Sequence, residues 1–69
     1  MEVFPRITVD PNVCGGKPCI RGHRLTVEHV VKLISEGVNS GELLEEWDFL
    51  EPEDIQAALR FAAHLARLE

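Results

Sequence analysis

The sequence predicts a mainly α-helical fold: three helices in a helix-turn-helix order, preceded by a short N-terminal β element. Three observations carry this. Apolar residues recur at helical spacing in three separated runs, near residues 27–34, 43–47 and 55–65. The middle run is short and the turn after it, Asp48-Phe49-Leu50, is tight, which is the order of a helix-turn-helix unit. The first 25 residues show no helical period but hold turn residues and a β-leaning run. One domain is expected, with an extended or hairpin arm over residues 1–25 and a helical core over 26–69. A plain three-helix bundle would show the same periodicity.

Taken in order, Ile7-Thr8-Val9 reads as a short strand that ends at the turn cluster Asp10-Pro11-Asn12. Gly15-Gly16 punctuates again. Lys17-Pro18-Cys19-Ile20 and Arg24-Leu25-Thr26 flank Arg21-Gly22-His23, so a β-hairpin or tight loop is expected there. Pro18 lacks a ladder donor and confines this structure to an edge.

The first helix is expected from Thr26 to Glu36. Thr26 can cap it, and Val27, Val30, Val31 and Ile34 share one face. These β-branched residues are poor helix formers, so the periodicity decides. Gly37 stops the helix. The second helix, Gly41 to Trp47, is expected to be capped by Ser40 and to bury Leu43, Leu44 and Trp47. Trp47→Ala should then cost about 3–5 kcal/mol. The third helix is expected from Pro52 to Leu68. Proline suits the first helical position, and Glu53 and Asp54 suit the positive end of the helix dipole. Ile55, Leu59 and Ala62 form one apolar line, and Ala58, Phe61, Leu65 and Leu68 an adjacent one. So wide a stripe can pack on two neighbours or form a dimer interface.

A chain of 69 residues has a small core, which rarely supplies more than about 3–5 kcal/mol unaided. A homodimer or another partner is therefore expected on energetic grounds. With 45% apolar and 28% charged residues the composition is globular. No run approaches the roughly 18 apolar residues of a membrane span, and Met1 to Pro5 does not read as a signal peptide. A cytoplasmic protein without a membrane partner is expected, with Cys14 and Cys19 as thiols. The net charge of −5 is uneven: residues 1–24 carry +2 and residues 25–69 carry −7. This asymmetry suits two faces with different partners, or simply an acidic surface that keeps a small protein in solution.

The stretch from Asp10 to Leu25, DPNVCGGKPCIRGHRL, resembles the N-terminal signature of the small prokaryotic family called domain of unknown function number four hundred and thirty-three. Gly37-Val38, Glu42-Leu43-Leu44 and Leu50 to Leu59 resemble its helical half, so the likeness runs from residue 7 to about 64. The resemblance implies a homeodomain-like helical fold with a short β element. It also implies an antitoxin-like role beside a partner resembling PIN-type ribonucleases. His23 stands where the pattern usually has threonine, and Asp48 where it often has proline.

Two groups of residues are expected to contact nucleic acid or a partner. Lys17, Arg21 and Arg24 concentrate positive charge beside glycines that let backbone approach a phosphate closely. Gly22 can let both guanidinium groups project outward. Alternatively, Arg21 and Arg24 pair with acids of their own domain. Arg60, His64 and Arg67 share one face of the third helix and could reach phosphates. Glu51, Glu53 and Asp54 occupy the start of that helix, where a recognition helix meets base edges, and carboxylates there repel DNA. Cys14, Cys19, His23 and His29 have a spacing zinc could use, but the Cys-x-x-Cys knuckle is missing, so neither metal nor cofactor is expected. Glu45 and Glu46 are adjacent and diverge on a helix, and no nucleophile, base and orienting group come together in the sequence. The expectation is a non-catalytic antitoxin-like protein that binds DNA, a PIN-like toxin, or both. The rival expectation is a protein-interaction module without nucleic-acid binding.

Overall fold

In the computed structural model, which describes residues 1–67, the chain opens with a strand that the periodicity did not show. Strands β1 (Glu2–Phe4) and β2 (Ile7–Thr8) pair antiparallel, with Phe4 opposite Ile7 and Glu2 opposite Thr8. Pro5 and Arg6 make the turn, and Arg6 adopts a left-handed φ of 68°. Its amide donates to the Glu2 carboxylate at 3.1 Å, which holds the turn closed. Strand β3 (Cys19–Ile20) pairs antiparallel with the other side of β2, so the sheet order is β1-β2-β3. Three residues are too few to display a period of two, which is why β1 was not legible.

The expected hairpin around Gly22 is only partly realised. β3 takes β2 as its ladder partner and meets the following segment through one bridge, Cys19 to Thr26, and the Ile20 amide donates to the Leu25 carbonyl at 2.9 Å. The physical reason is Ile20, which is fully buried opposite an equally buried Ile7. Burying that pair aligns β3 with β2. Between them, Cys14–Gly16 forms one 3-10 turn.

Helix α1 (Val27–Ser35) begins as expected, with the Thr26 hydroxyl accepting from the His29 amide at 3.0 Å. Gly37 ends it with φ 95°, and the Gly37 and Val38 amides satisfy the last carbonyls. Helix α2 (Ser40–Glu46) is capped one residue earlier than expected, by Asn39 and not Ser40. The Asn39 side chain accepts from the Glu42 amide at 2.9 Å and donates to the Glu42 carboxylate at 2.9 Å. That reciprocal pairing needs the cap three residues before the glutamate, a place Ser40 does not hold. Helix α3 (Pro52–Ala66) starts at Pro52 as expected. It ends at Ala66, short of the expected Leu68, because Arg67 turns left-handed (φ 58°) and closes the last turn; the place of Leu68 in the apolar line lies outside the described residues.

The core joins sheet and helices: Ile7 and Ile20 from the strands, Val27 and Val30 from α1, Leu43 from α2, and Ile55, Ala58 and Phe61 from α3. Phe4 packs on Phe61 with ring centroids 5.4 Å apart. The buried row of α3 also contains Asp54 and Ala57, whereas Leu59 and Ala62 are half-buried and Leu65 is exposed. Trp47 departs from expectation as well. It ends α2 half-buried, edge-on to His29 at 5.6 Å, because Leu43 fills the interior position of that short helix. The molecule is therefore three helices with a three-stranded antiparallel sheet built into the same core.

Candidate functional site

Asp54 is the only charged side chain among the described residues that is fully buried. A lone carboxylate would not survive there, since burial favours its neutral form. The two turns flanking β2 and β3 each supply an arginine. Arg21 grips both oxygens of Asp54, Nε to Oδ1 and Nη2 to Oδ2, each at 2.9 Å. Arg6 Nη1 donates to Asp54 Oδ1 at 2.9 Å and to Glu51 Oε1 at 2.6 Å. The Glu51 amide donates to Asp54 Oδ2 at 2.9 Å, so the same carboxylate caps α3. Arg21 also donates to the Phe49 carbonyl at 2.6 Å, which ties in the α2–α3 turn.

Burial alone would raise the Asp54 pKa. The Arg21 hydrogen bonds, the Glu51 amide and Arg6 outweigh it, and hold the carboxyl below its ordinary value. Both guanidinium groups are held more firmly protonated, by their hydrogen bonds to Glu51 and Asp54 for Arg6 and to Asp54 for Arg21. Both oxygens of Asp54 accept two hydrogen bonds each, which leaves it no position for a substrate proton or a metal ion. This is a structural clasp joining the sheet, the α2–α3 turn and α3.

The clasp corrects one expectation. Arg21 does not project outward: its left-handed backbone (φ 42°) turns the guanidinium inward onto α3. Lys17 is also engaged, with Nζ 3.2 Å from Glu28 Oε1 on the surface of α1. Arg24 is exposed beside a small hollow lined by His29 and Trp47. Arg60 borders a second hollow, with Phe4, Pro5 and Arg6. His64 lies against Phe4 with ring centroids 6.0 Å apart, and Arg67 is the left-handed residue that ends α3. Lys17, Arg24 and Arg60 thus line three different hollows and do not form one stripe.

Cys14, Cys19, His23 and His29 do not converge. His23 stacks on Phe49 at 3.8 Å, His29 faces Trp47, and among the described residues no three His, Cys, Asp or Glu side chains gather. Both cysteines are free thiols. Cys19 donates to the Lys17 carbonyl at 3.3 Å. Burial and the neighbouring Cys14 push its pKa up to about 11, against a small opposing pull from Arg24. Such a thiol is a packing group at neutral pH.

A shallow groove of about 880 Å³ lies between α1 and α3. Val27, Val31, Phe61, Ala62 and Leu65 form its floor and wall, and Lys17, Glu28 and Lys32 its rim.

Sequence reasoning missed Arg6 and Asp54. Asp54 stands four and seven positions before Ala58 and Phe61, on the apolar line itself. A charge at such a position demands a buried partner, and that was the signal available.

These features define a small three-helix domain whose N-terminal sheet is locked to its longest helix by an ion network centred on the buried Asp54. Residues 7–62 match the family described as Protein of unknown function (DUF433), and the chain belongs to that family. An uncharacterized protein, y4eO, of Sinorhizobium fredii (strain NBRC 101917 / NGR234) is 34% identical over 56 residues. That match covers 81% of this chain and 25% of the relative, so this chain spans about a quarter of its length. The crystal structure of a DUF433 member protein from Anabaena variabilis ATCC 29413 superposes with a TM-score of 0.84 at 32% identity, over 91% of this chain and 62% of that one. No helix among the described residues is long and apolar enough to cross a membrane.

Proposed function

We propose that this chain is a non-catalytic recognition domain that binds protein, with the α1–α3 face as its working surface. The observation that carries the reading is the apolar groove between these helices, rimmed by charge. Concave apolar surface of this kind marks interaction sites. The engagement of Arg6, Lys17 and Arg21 within the domain supports it, because three of the four cations of residues 1–25 already face carboxylates of their own chain, Glu51, Glu28 and Asp54. Catalysis has no support in the best-formed polar cluster, where Asp54 has no free acceptor position.

An antitoxin-like setting, in which the bound protein is a PIN-like ribonuclease, is the biological context suggested by the sequence resemblance. DNA binding is the second reading. The short α2, tight turn and long α3 follow helix-turn-helix order, homeodomain-like in that reading, and Arg24, Arg60 and Arg67 are exposed. Against it, Glu51 and Glu53 stand at the exposed start of α3 and oppose a phosphate backbone.

The test compares the wild type with Leu65→Asp and with the double variant Arg60→Ala/Arg67→Ala. Protein complexes, with itself or with the product of a neighbouring reading frame, should be lost in Leu65→Asp. Duplex DNA should bind no tighter than the roughly 10⁻⁴–10⁻⁶ M of non-specific association. Tight duplex binding that survives Leu65→Asp and falls in the arginine double variant would replace this reading with the DNA one.

A further inference from the structure

We infer that the occupant of the α1–α3 groove is a second copy of this chain, paired about a two-fold axis. The inference rests on the groove being a protein-docking surface. A two-fold interface must be self-complementary, with every projection matched by a hollow on the same face. This face holds both. Leu65 is 65% exposed and stands as a large apolar projection at the end of α3. Beside it Val31, Phe61 and Ala62 line the hollow, and the small side chain of Ala62 lets a neighbouring helix approach closely.

The rim is self-complementary in charge as well. It carries Glu28 and Lys32 one helical turn apart on α1, and Lys17 beside Glu28. Glu28 bonds Lys17 through one oxygen, Oε1, and its other oxygen makes no hydrogen bond among the described residues. Lys32 makes no ion pair among the described residues. A two-fold pairing of α1 and α3 sets Glu28 of each copy against Lys32 of the other, so both leftover groups are matched twice. The chain as a whole carries −5, so two copies repel through most of their surface. The rim of Lys17, Glu28 and Lys32 holds none of that excess acid. A stable interface of about 800 Å² per protomer takes roughly a sixth of the 4638 Å² accessible surface.

The test is sedimentation equilibrium from about 10 µM to about 1 mM, concentrations that bracket weak to moderate association. The wild type should pass from monomer to dimer. Leu65→Asp places a carboxylate at the centre of the apolar contact and should weaken dimerisation about 100-fold or more. Since Leu65 is exposed, the variant should keep the wild-type circular dichroism spectrum. Glu28→Lys and Lys32→Glu should each weaken self-association about tenfold by setting like charges together. An equimolar mixture of the two variants should form a heterodimer near wild-type affinity. In that pairing the copy with two lysines at positions 28 and 32 meets the copy with two glutamates there, so both contacts again join opposite charges. A wild type monomeric throughout, or a mixture without rescue, overturns the inference. If the wild type is monomeric while Leu65→Asp still abolishes capture of another protein, the docking reading stands and only the second copy is overturned.

Discussion

Asp54 shows how one residue can join distant parts of the chain. Its carboxylate caps α3 and receives an arginine from each of two turns that lie 48 and 33 positions away. Replacing it with alanine leaves the Glu51 amide without its acceptor and the guanidinium groups with only Glu51 (Arg6) and the Phe49 carbonyl (Arg21). The arginines retain access to water, which tempers the loss, and Asp54→Ala should cost about 2–4 kcal/mol in chemical denaturation. The sign of the pH effect follows from the lowered pKa. The stabilisation is complete above the unfolded-state value of about 3.9 and is lost as pH falls through the lower folded-state value. Urea midpoints should therefore show no contribution from this group to pH dependence near neutrality, and should fall below about pH 4; Asp54→Asn should remove that part of the acid dependence. Trp47 belongs to the same scale. Being half-buried, Trp47→Ala should cost about 1–2 kcal/mol, well under the full-burial figure, with the melting temperature as the measurement.

At the level of elements, the helix ends are set by local chemistry. Thr26 and Asn39 satisfy the first amides of α1 and α2, and Pro52 opens α3 where no donor is needed. Gly37 is the most exacting of these positions, because φ 95° is a conformation that side chains rarely tolerate. A Cβ there would touch nothing within 4 Å, so the penalty of Gly37→Ala is conformational and not steric. It should cost about 1–2 kcal/mol in thermal unfolding, and loss of helix signal should begin at α1. An unchanged melting temperature would mean that the α1–α2 connection relaxes into another turn.

For the whole molecule, the N-terminal sheet is part of the core. Ile7 is fully buried, Phe4 packs on Phe61, and Arg6 completes the clasp. Removing a buried isoleucine alone costs about 2–5 kcal/mol, comparable with the whole of the roughly 3–5 kcal/mol that a core this small supplies. A chain lacking residues 1–9 should therefore lose cooperative unfolding by circular dichroism, whereas an appended arm could be removed without effect.

Three helices, the tight turn between the second and third, the cap at Thr26 and the start of α3 at Pro52 were readable from the sequence, because each depends on residues within a turn or two of one another. Periodicity also identified Val27, Val30, Leu43, Ile55, Ala58 and Phe61 as interior. Partnership between distant residues was not readable in this way. Lys17, Arg21 and Arg24 formed one basic cluster along the chain, yet the fold turns Arg21 inward to Asp54, pairs Lys17 with Glu28 and leaves Arg24 exposed. A charge is equally visible in sequence whether it faces water or a buried counter-ion. Only the tertiary structure sets the distance and the dielectric that distinguish the two.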